Sequence, residues 1–202
     1  MPRYATYRLW IILSLPAVLI AYKAALTPGP AMFRALAHPA AELSARLLIL
    51  AMLATPLMLL FKRHDAPRWL RKNRRALGVF SFVYAAIHLL LYLAGRVSWD
   101  AVTSDLSETY ILAGWLAFAI LMPLAFTSCD ACVKQMGTRW KQLQRWAHPA
   151  ALLVLLHWAA INDWSHPAEA VFHFGPLLLP QGYRVWYWYL RPRPVKPQSP
   201  GF

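Results

Sequence analysis

The chain has 202 residues, of which 59% are apolar and 14% charged, and its formal net charge at pH 7 is +13. This length suits one domain. The sequence contains several apolar runs approaching twenty residues, which a soluble protein of this size does not need. Each long run can cross a hydrocarbon layer about 30 Å thick as a helix. The composition therefore predicts a polytopic membrane protein and excludes an ordinary soluble domain.

Six segments are predicted to span the membrane as helices. Four are long and almost uncharged, the fifth is slightly short, and the sixth is interrupted by Gly and Pro. In chain order they are Leu9–Leu26, Leu43–Phe61, Ala76–Gly95, Tyr110–Thr127, Trp146–Ile161 and Ala170–Leu190. The first is not expected to be a cleaved signal peptide, because no small-residue cleavage site closes it and more spans follow. We expect an all-α membrane bundle of about six helices.

The positive charges are concentrated at one end of this predicted bundle. Seven Lys or Arg residues lie in Lys62–Arg75, four in Lys134–Arg145 and four between Arg184 and Lys196. Most acidic residues fall in the opposite loops. Basic residues in short loops stay on the cytoplasmic side, so both termini are expected inside, which requires an even number of spans. The charge is thereby explained without a nucleic-acid partner.

The C-terminal part of the chain has two unusual features. Pro176 and Pro180 are expected to break or kink the sixth span, which either crosses as a kinked helix or lies partly along the cytoplasmic interface. Residues 191–202 are Pro-rich and basic. We therefore expect residues 1–190 to form the transmembrane domain and residues 191–202 a cytoplasmic tail.

Cys129 and Cys132 form a CDAC motif at the inner end of the fourth span. The cytoplasm is reducing, so a structural disulfide is not expected there. Two ordinary thiols are the favoured interpretation, and a redox dithiol or half of a metal site are the alternatives.

Three histidines lie within the predicted spans, namely His88, His148 and His157. Coordinating residues inside a membrane helix are costly and are therefore functional candidates. His88 and His157 fall at matching depth in the outer halves of two spans. Bis-imidazole ligation of haem iron requires this arrangement, because one nitrogen must come from each side of the ring. A pair of histidines that hydrogen-bond between helices is the alternative, and spacing alone leaves both open.

His148 precedes His157 by nine residues, so the two side chains point to nearly opposite faces about 13 Å apart along the axis. One haem cannot use both. His148 is either a structural residue or the ligand of a second, inner haem, whose other ligand would be His64 or a residue of another type. Of the remaining histidines, His173 is the best placed to reach a cofactor, and His38, His64 and His166 are expected to be solvated.

Four segments of the sequence resemble the MsrQ family. They are TPL at Thr55–Leu57, RRALGVFSFVYAAIHLLLY at Arg74–Tyr92, PLAFTS at Pro123–Ser128 and GTRWKQLQRWAHPAALLVLLHW at Gly137–Trp158. This family is the haem-binding membrane subunit of a periplasmic methionine sulfoxide reductase system and belongs to the ferric-reductase-like transmembrane group. The resemblance covers the second to fifth spans, and it implies a ferric-reductase-like, multi-pass protein of the bacterial inner membrane.

The resemblance also implies roles for particular residues. His88 and His157 match haem-ligand positions of the family. The family carries another histidine directly after the RW-x2-L motif, where this chain has Gln144. His148 lies four residues later, on the same helical face, so the second haem-linked site is either kept there or absent.

The function implied by the resemblance is b-type haem electron transfer. Electrons would come from a cytoplasmic flavin reductase or the quinone pool and pass to a periplasmic acceptor such as a methionine sulfoxide reductase. FMN is associated with the family, and its phosphate would suit the basic residues Arg71, Lys72, Arg74 and Arg75, although topology also explains that cluster. The sequence has no glycine fingerprint for nicotinamide binding. The alternatives are direct reduction of ferric or cupric substrates and a non-catalytic accessory subunit of a larger complex.

Overall fold

The computed structural model describes residues 4–96, 98–161 and 167–191, and all regular secondary structure in these ranges is helical. The helices are α1 (Tyr4–Leu26), α2 (Pro30–Leu60), α3 (Asp65–Ala94), α4 (Trp99–Asp105), α5 (Thr109–Phe126), α6 (Asp130–Met136), α7 (Thr138–Gln144), α8 (Ala147–Ala160) and α9 (Pro167–Val185), followed by a π-helical turn at Trp186–Leu190. The predicted all-α class is confirmed.

Four helices are long and apolar enough to cross a membrane: α1, α2, α3 and α5. They correspond to the first four predicted spans and make the chain a multi-pass membrane protein. The fifth predicted span is α8, whose 14 residues extend only about 21 Å. The count of six spans and the inside location of both termini therefore stay predictions.

Helices α2 and α3 extend well beyond the predicted spans. α2 begins at Pro30 rather than near Leu43, because proline at the first helical position sacrifices no hydrogen bond and an Ala-rich stretch follows. α3 begins at Asp65, so most of the basic segment Lys62–Arg75 is helical and is not a loop. With 31 and 30 residues, each helix is about 45 Å long and exceeds the hydrocarbon layer. The basic residues 71–75 consequently lie on the early turns of α3.

The α2–α3 pair forms the centre of the bundle. Ser44 Oγ donates to Ser81 O at 2.9 Å, and Ser81 Oγ donates to Ser44 O at 3.0 Å, with both side chains buried. Small residues at such a contact let two helices approach closely, and the reciprocal bonds satisfy both hydroxyls in an apolar interior. α5 packs against α8, and α9 packs against α2. α1 lies at the periphery, where Tyr84 of α3 donates to Leu13 O at 2.6 Å.

The sixth predicted span is helical without the expected break. α9 continues through Pro176 and Pro180 and departs from α-helical geometry only at the π-helical turn. Its packing against α2 includes a hydrogen bond from Gln181 Nε2 to Met52 O at 3.2 Å. Met52 O is the carbonyl that Pro56, four residues later in α2, leaves without its helical donor, so Gln181 compensates a proline of the neighbouring helix. Apart from Arg191, the predicted tail lies outside the described residues.

Cys129 and Cys132 form a disulfide, so the interpretation as two ordinary thiols is wrong. Cys129 has extended backbone just before α6, and Cys132 lies in the first turn of that helix. This turn places their Cα atoms 5.2 Å apart, within the range that a disulfide requires. The prediction used the cellular compartment alone and left local geometry out.

Candidate functional site

His88 on α3 and His157 on α8 face each other. Their ring centroids are 6.2 Å apart and the ring planes are inclined by 71°. Two imidazoles that share one metal ion have centroids about 6 Å apart, because each metal–nitrogen bond is about 2 Å long. The separation of the rings therefore fits two axial ligands of a single iron.

The ring orientation of both histidines is fixed by backbone carbonyls. Nδ1 of His88 lies 2.9 Å from Ala37 O, and Nδ1 of His157 lies 2.6 Å from Tyr110 O. A carbonyl oxygen only accepts, so each Nδ1 carries the proton and each Nε2 keeps its lone pair. Metal-binding histidines usually donate their other N–H in this way. Both residues are thus in the tautomer that coordinates through Nε2.

The two histidines line one cavity together with mostly small or aromatic side chains. The other lining residues are Ala41, Ser44, Ala85, Leu89, Tyr92, Ile111, Gly114, Trp115, Ala117, Phe118, Leu121 and Val154. The enclosed space is about 100 Å³, below the roughly 300–1,000 Å³ of a typical ligand pocket. Binding of a macrocycle there requires the larger lining side chains to rotate or the helices to separate.

Gly114 of α5 is one of these small residues and lies directly against His157. A Cβ atom at this position would come within 2.9 Å of His157 Nδ1 and 3.0 Å of its Cε1. Contacts this short do not occur without displacement. Glycine is therefore required for the observed position of the His157 ring.

A polar network lies at one edge of the same cavity. Tyr92, one turn beyond His88 on α3, donates its hydroxyl to Asp105 Oδ2 at 2.5 Å. Arg96 pairs with the same carboxylate oxygen at 2.5 Å and lies 5.0 Å above the Tyr92 ring. The i,i+4 spacing from His88 was the sequence signal that could have identified Tyr92, whereas its contact with Asp105 depends on the fold.

A second, larger cavity of about 710 Å³ lies at the end of the bundle that carries the basic residues. Its basic lining residues are Arg71, Lys72, Arg74, Arg75, Lys141, Arg145 and Arg184. All four residues predicted to contact a flavin phosphate are among them. Lys141, Arg145 and Arg184 were missed, because they come from segments far apart in the sequence and only the fold brings them together. We call this the basic cavity.

The basic cavity combines its charged wall with an apolar one. Leu48, Met52, Leu121 and Leu124 line it, and none of its described lining residues is a carboxylate. Leu121 also lines the histidine cavity, so the two cavities are neighbours along the bundle. Just outside, the carboxylate of Asp130 pairs with Arg75, and this guanidinium lowers the pKa of Asp130.

His148 lies in the basic cavity and not beside His157. Its Nδ1 is 3.0 Å from Arg145 O, and Arg184 Nη1 donates to its Nε2 at 3.1 Å. Both ring nitrogens therefore have partners within the protein. No other histidine in the described ranges lines this cavity, and His64 is exposed at the start of α3.

Gln144 also lines the basic cavity, and its Nε2 donates to Leu124 O at 3.0 Å. α7 ends at Gln144 and α8 begins at Ala147. Residues 145–146 between these two helices keep right-handed helical backbone angles. Gln144 and His148 therefore belong to separate helices but line the same cavity.

The other histidines in the described part of the chain line neither cavity. His173 stacks on Trp158 with a centroid distance of 4.7 Å, and its Nε2 lies 3.6 Å from Glu42 Oε1. Glu42 also forms an i,i+4 ion pair with Arg46. His38 lies on α2 and is exposed, as predicted, and His166 lies outside the described residues.

The chain matches the family described as "Ferric reductase like transmembrane component" over residues 40–160, which include His88, His148 and His157. It is 33% identical to the protein-methionine-sulfoxide reductase heme-binding subunit MsrQ of Xanthomonas axonopodis pv. citri over 146 residues, or 70% of this chain and 64% of that protein. The MsrQ of Rhodospirillum rubrum is 40% identical over 91 residues, covering 43% and 44% of the two chains.

The magnetosome protein MamZ of Paramagnetospirillum magneticum is 40% identical over 94 residues, or 44% of this chain and 14% of that protein. The chain thus spans less than two thirds of the length of these relatives. No solved structure matches the chain. The predicted resemblance to MsrQ is confirmed, and the chain belongs to the family of ferric reductase like transmembrane components.

Proposed function

We propose that this chain is a b-type haem membrane subunit that carries electrons across the bacterial cytoplasmic membrane, with His88 and His157 as the axial ligands of one haem. The observation that carries the proposal is the pair of facing imidazoles, each with Nδ1 bound to a backbone carbonyl. Haem iron supplies one-electron chemistry. The protein holds both rings in one tautomer, and small side chains line the space between them.

The basic cavity is the proposed site of the electron donor. Its arginines and lysines suit the phosphate of FMN, and its apolar wall suits a flat flavin ring. Gly78 on α3 lines this cavity and precedes His88 by ten residues, or about 15 Å along the helix. Leu121 lines both cavities, so the proposed donor site and the histidine pair are neighbours in the bundle. A quinol is the alternative donor.

The acceptor is proposed to be a periplasmic oxidoreductase. The similar MsrQ proteins are named as subunits of a protein-methionine-sulfoxide reductase, which makes such a reductase the first partner to test. The distribution of basic residues supports a topology with both termini inside. Under this topology the Tyr92–Asp105–Arg96 network lies on the acceptor side of the haem.

The test is a spectrum and a transfer assay on the purified chain. We expect b-type bands in the reduced-minus-oxidised spectrum and about one haem per chain. The haem should be reduced by FMN with a flavin reductase and reoxidised by a methionine sulfoxide reductase partner. Absence of b-type bands would contradict the proposal. Reduction of chelated ferric iron without any partner would instead support direct ferric reduction, and haem that no partner reoxidises would support an accessory role.

Gly114→Ala is expected to lower the haem content per chain about tenfold. The new methyl group would displace His157 from its hydrogen bond with Tyr110 O. Loss of such a supporting bond costs about 10–100-fold in metal affinity. Haem per chain, measured after purification, checks this. Gly175→Ala is the matched control, since a Cβ there meets nothing within 4 Å. Equal haem content in the two variants would contradict the role assigned to Gly114.

A further inference from the structure

The Cys129–Cys132 disulfide lies just after α5, at the basic end of the bundle. Cys129 is exposed and Cys132 is half-buried. The proposed topology places this loop in the cytoplasm, where disulfides are usually transient and either catalytic or redox-sensing. Neither the haem pair nor the basic cavity uses these two sulfur atoms.

We propose that Cys129 and Cys132 form a thiol–disulfide exchange site whose substrate is a dithiol protein of the cytoplasm. The proposal rests on the proposed location of the basic loops and does not depend on haem. It gives the CDAC motif a reaction of its own, separate from electron transfer through the membrane.

The accessibility of the two sulfur atoms determines the order of the reaction. A thiolate of the carrier attacks the exposed Sγ of Cys129, and the bond to Cys132 Sγ breaks. The bonding electron pair leaves with Cys132 Sγ, which takes up a proton. The second thiolate of the carrier then attacks its own sulfur in the mixed disulfide, and Cys129 leaves as a thiolate and is protonated. The carrier loses two electrons and two protons, and the two cysteines gain them.

The surroundings of the motif favour a released thiolate. The backbone N–H of Cys132 points at Cys129 Sγ, with nitrogen and sulfur 3.0 Å apart. An N–H donor that points at a cysteine sulfur stabilises the thiolate relative to the thiol, which favours Cys129 as the leaving group of the second displacement. The disulfide is thus both reachable and able to release a stable leaving group.

The motif also borders the basic cavity. Ser128 precedes Cys129 and lines this cavity, as does Arg75, the partner of Asp130. The exchange site is therefore adjacent to the proposed donor site. This position distinguishes the disulfide from a cross-link in a remote surface loop.

The experiment uses the full-length oxidised protein and a thioredoxin whose second active-site cysteine is changed to serine, so that the mixed disulfide is trapped. We expect a conjugate that mass spectrometry maps to Cys129, and none with the Cys129→Ser/Cys132→Ser double variant. Unmodified reduced thioredoxin should release two thiols per chain. When intact cells are treated first with a membrane-impermeant reductant that opens exposed disulfides, a membrane-impermeant maleimide applied from outside should label neither cysteine.

Three results would overturn the proposal: labelling from outside, a conjugate at Cys132, or no reaction with thioredoxin under conditions in which dithiothreitol opens the bond. Each readout counts thiols or conjugates. A chain that fails the haem test but passes this one would contradict only the proposed function, and the reverse outcome would contradict only the exchange site.

Discussion

Replacing His88 or His157 by alanine is expected to remove the same haem and to reduce the b-type absorbance to about a tenth of the wild-type value or less. Loss of a residue that merely supports a metal ligand costs about 10–100-fold in affinity, and loss of an axial ligand should cost no less. The double variant should lose no more than either single variant, because one haem cannot be removed twice. Haem per chain and the reduced-minus-oxidised spectrum are the measurements.

His148→Ala is the matched control for this prediction. It removes the same side chain from the same helix as His157, but its ring nitrogens are bonded to Arg145 O and Arg184. Haem content is expected to stay at the wild-type level. A fall to about half would indicate a second haem held by His148 and would contradict the assignment of a single site.

Folding defects can be separated from ligand loss by chemical rescue. The alanine variants leave space where an imidazole ring was, in a cavity that still holds the other histidine. Exogenous imidazole is therefore expected to restore part of the haem spectrum in each single variant and none in the double variant. Full haem content in His88→Ala without imidazole would show that the facing pair does not ligate the iron.

The placement of the histidine pair is the part of the site that the sequence predicts best. Hydropathy locates the helices, and counting from the basic ends places His88 and His157 at matching depth. The backbone partners of the rings could not be predicted in this way. Ala37 is 51 residues from His88, and Tyr110 is 47 residues from His157, so these bonds depend on how α2, α3, α5 and α8 pack.

The helix ends show what hydropathy misses. It detects only the apolar part of a helix, so the polar first turns of α3 and the start of α2 appeared to be loops. Because this segment is helical, Arg71, Arg74 and Arg75 lie along one face of α3 and line a single cavity. Arg184 joins them from α9 through tertiary packing, which a count of charges cannot reveal.

In the basic cavity, Arg71→Gln and Arg74→Gln are each expected to weaken FMN binding about tenfold, and the double variant by more. A hydrogen bond to a charged group contributes about 1.5–3 kcal/mol, and about 1.4 kcal/mol corresponds to a factor of ten in affinity. Quenching of flavin fluorescence on titration with the purified protein gives the dissociation constants. The affinity of the wild-type protein should also fall as salt is added.

Arg63→Gln provides a control with the same change of charge in the same basic segment, because Arg63 does not line the cavity. We expect its effect on FMN affinity to be less than about twofold, since an exposed charge at a distance is screened by salt. A loss as large as that of Arg71→Gln would mean that total charge, and not a built phosphate site, attracts the flavin.

Riboflavin separates the phosphate contribution from that of the ring. It carries the same isoalloxazine group without the phosphate, so it should bind the wild-type protein more weakly and respond little to Arg71→Gln or Arg74→Gln. A quinol donor, which is uncharged, would likewise be insensitive to both substitutions. If haem reduction by quinol is unchanged in these variants while reduction by FMN slows, the basic cavity holds a flavin donor. If both reactions persist at wild-type rates, the electrons enter elsewhere and the basic residues serve topology alone.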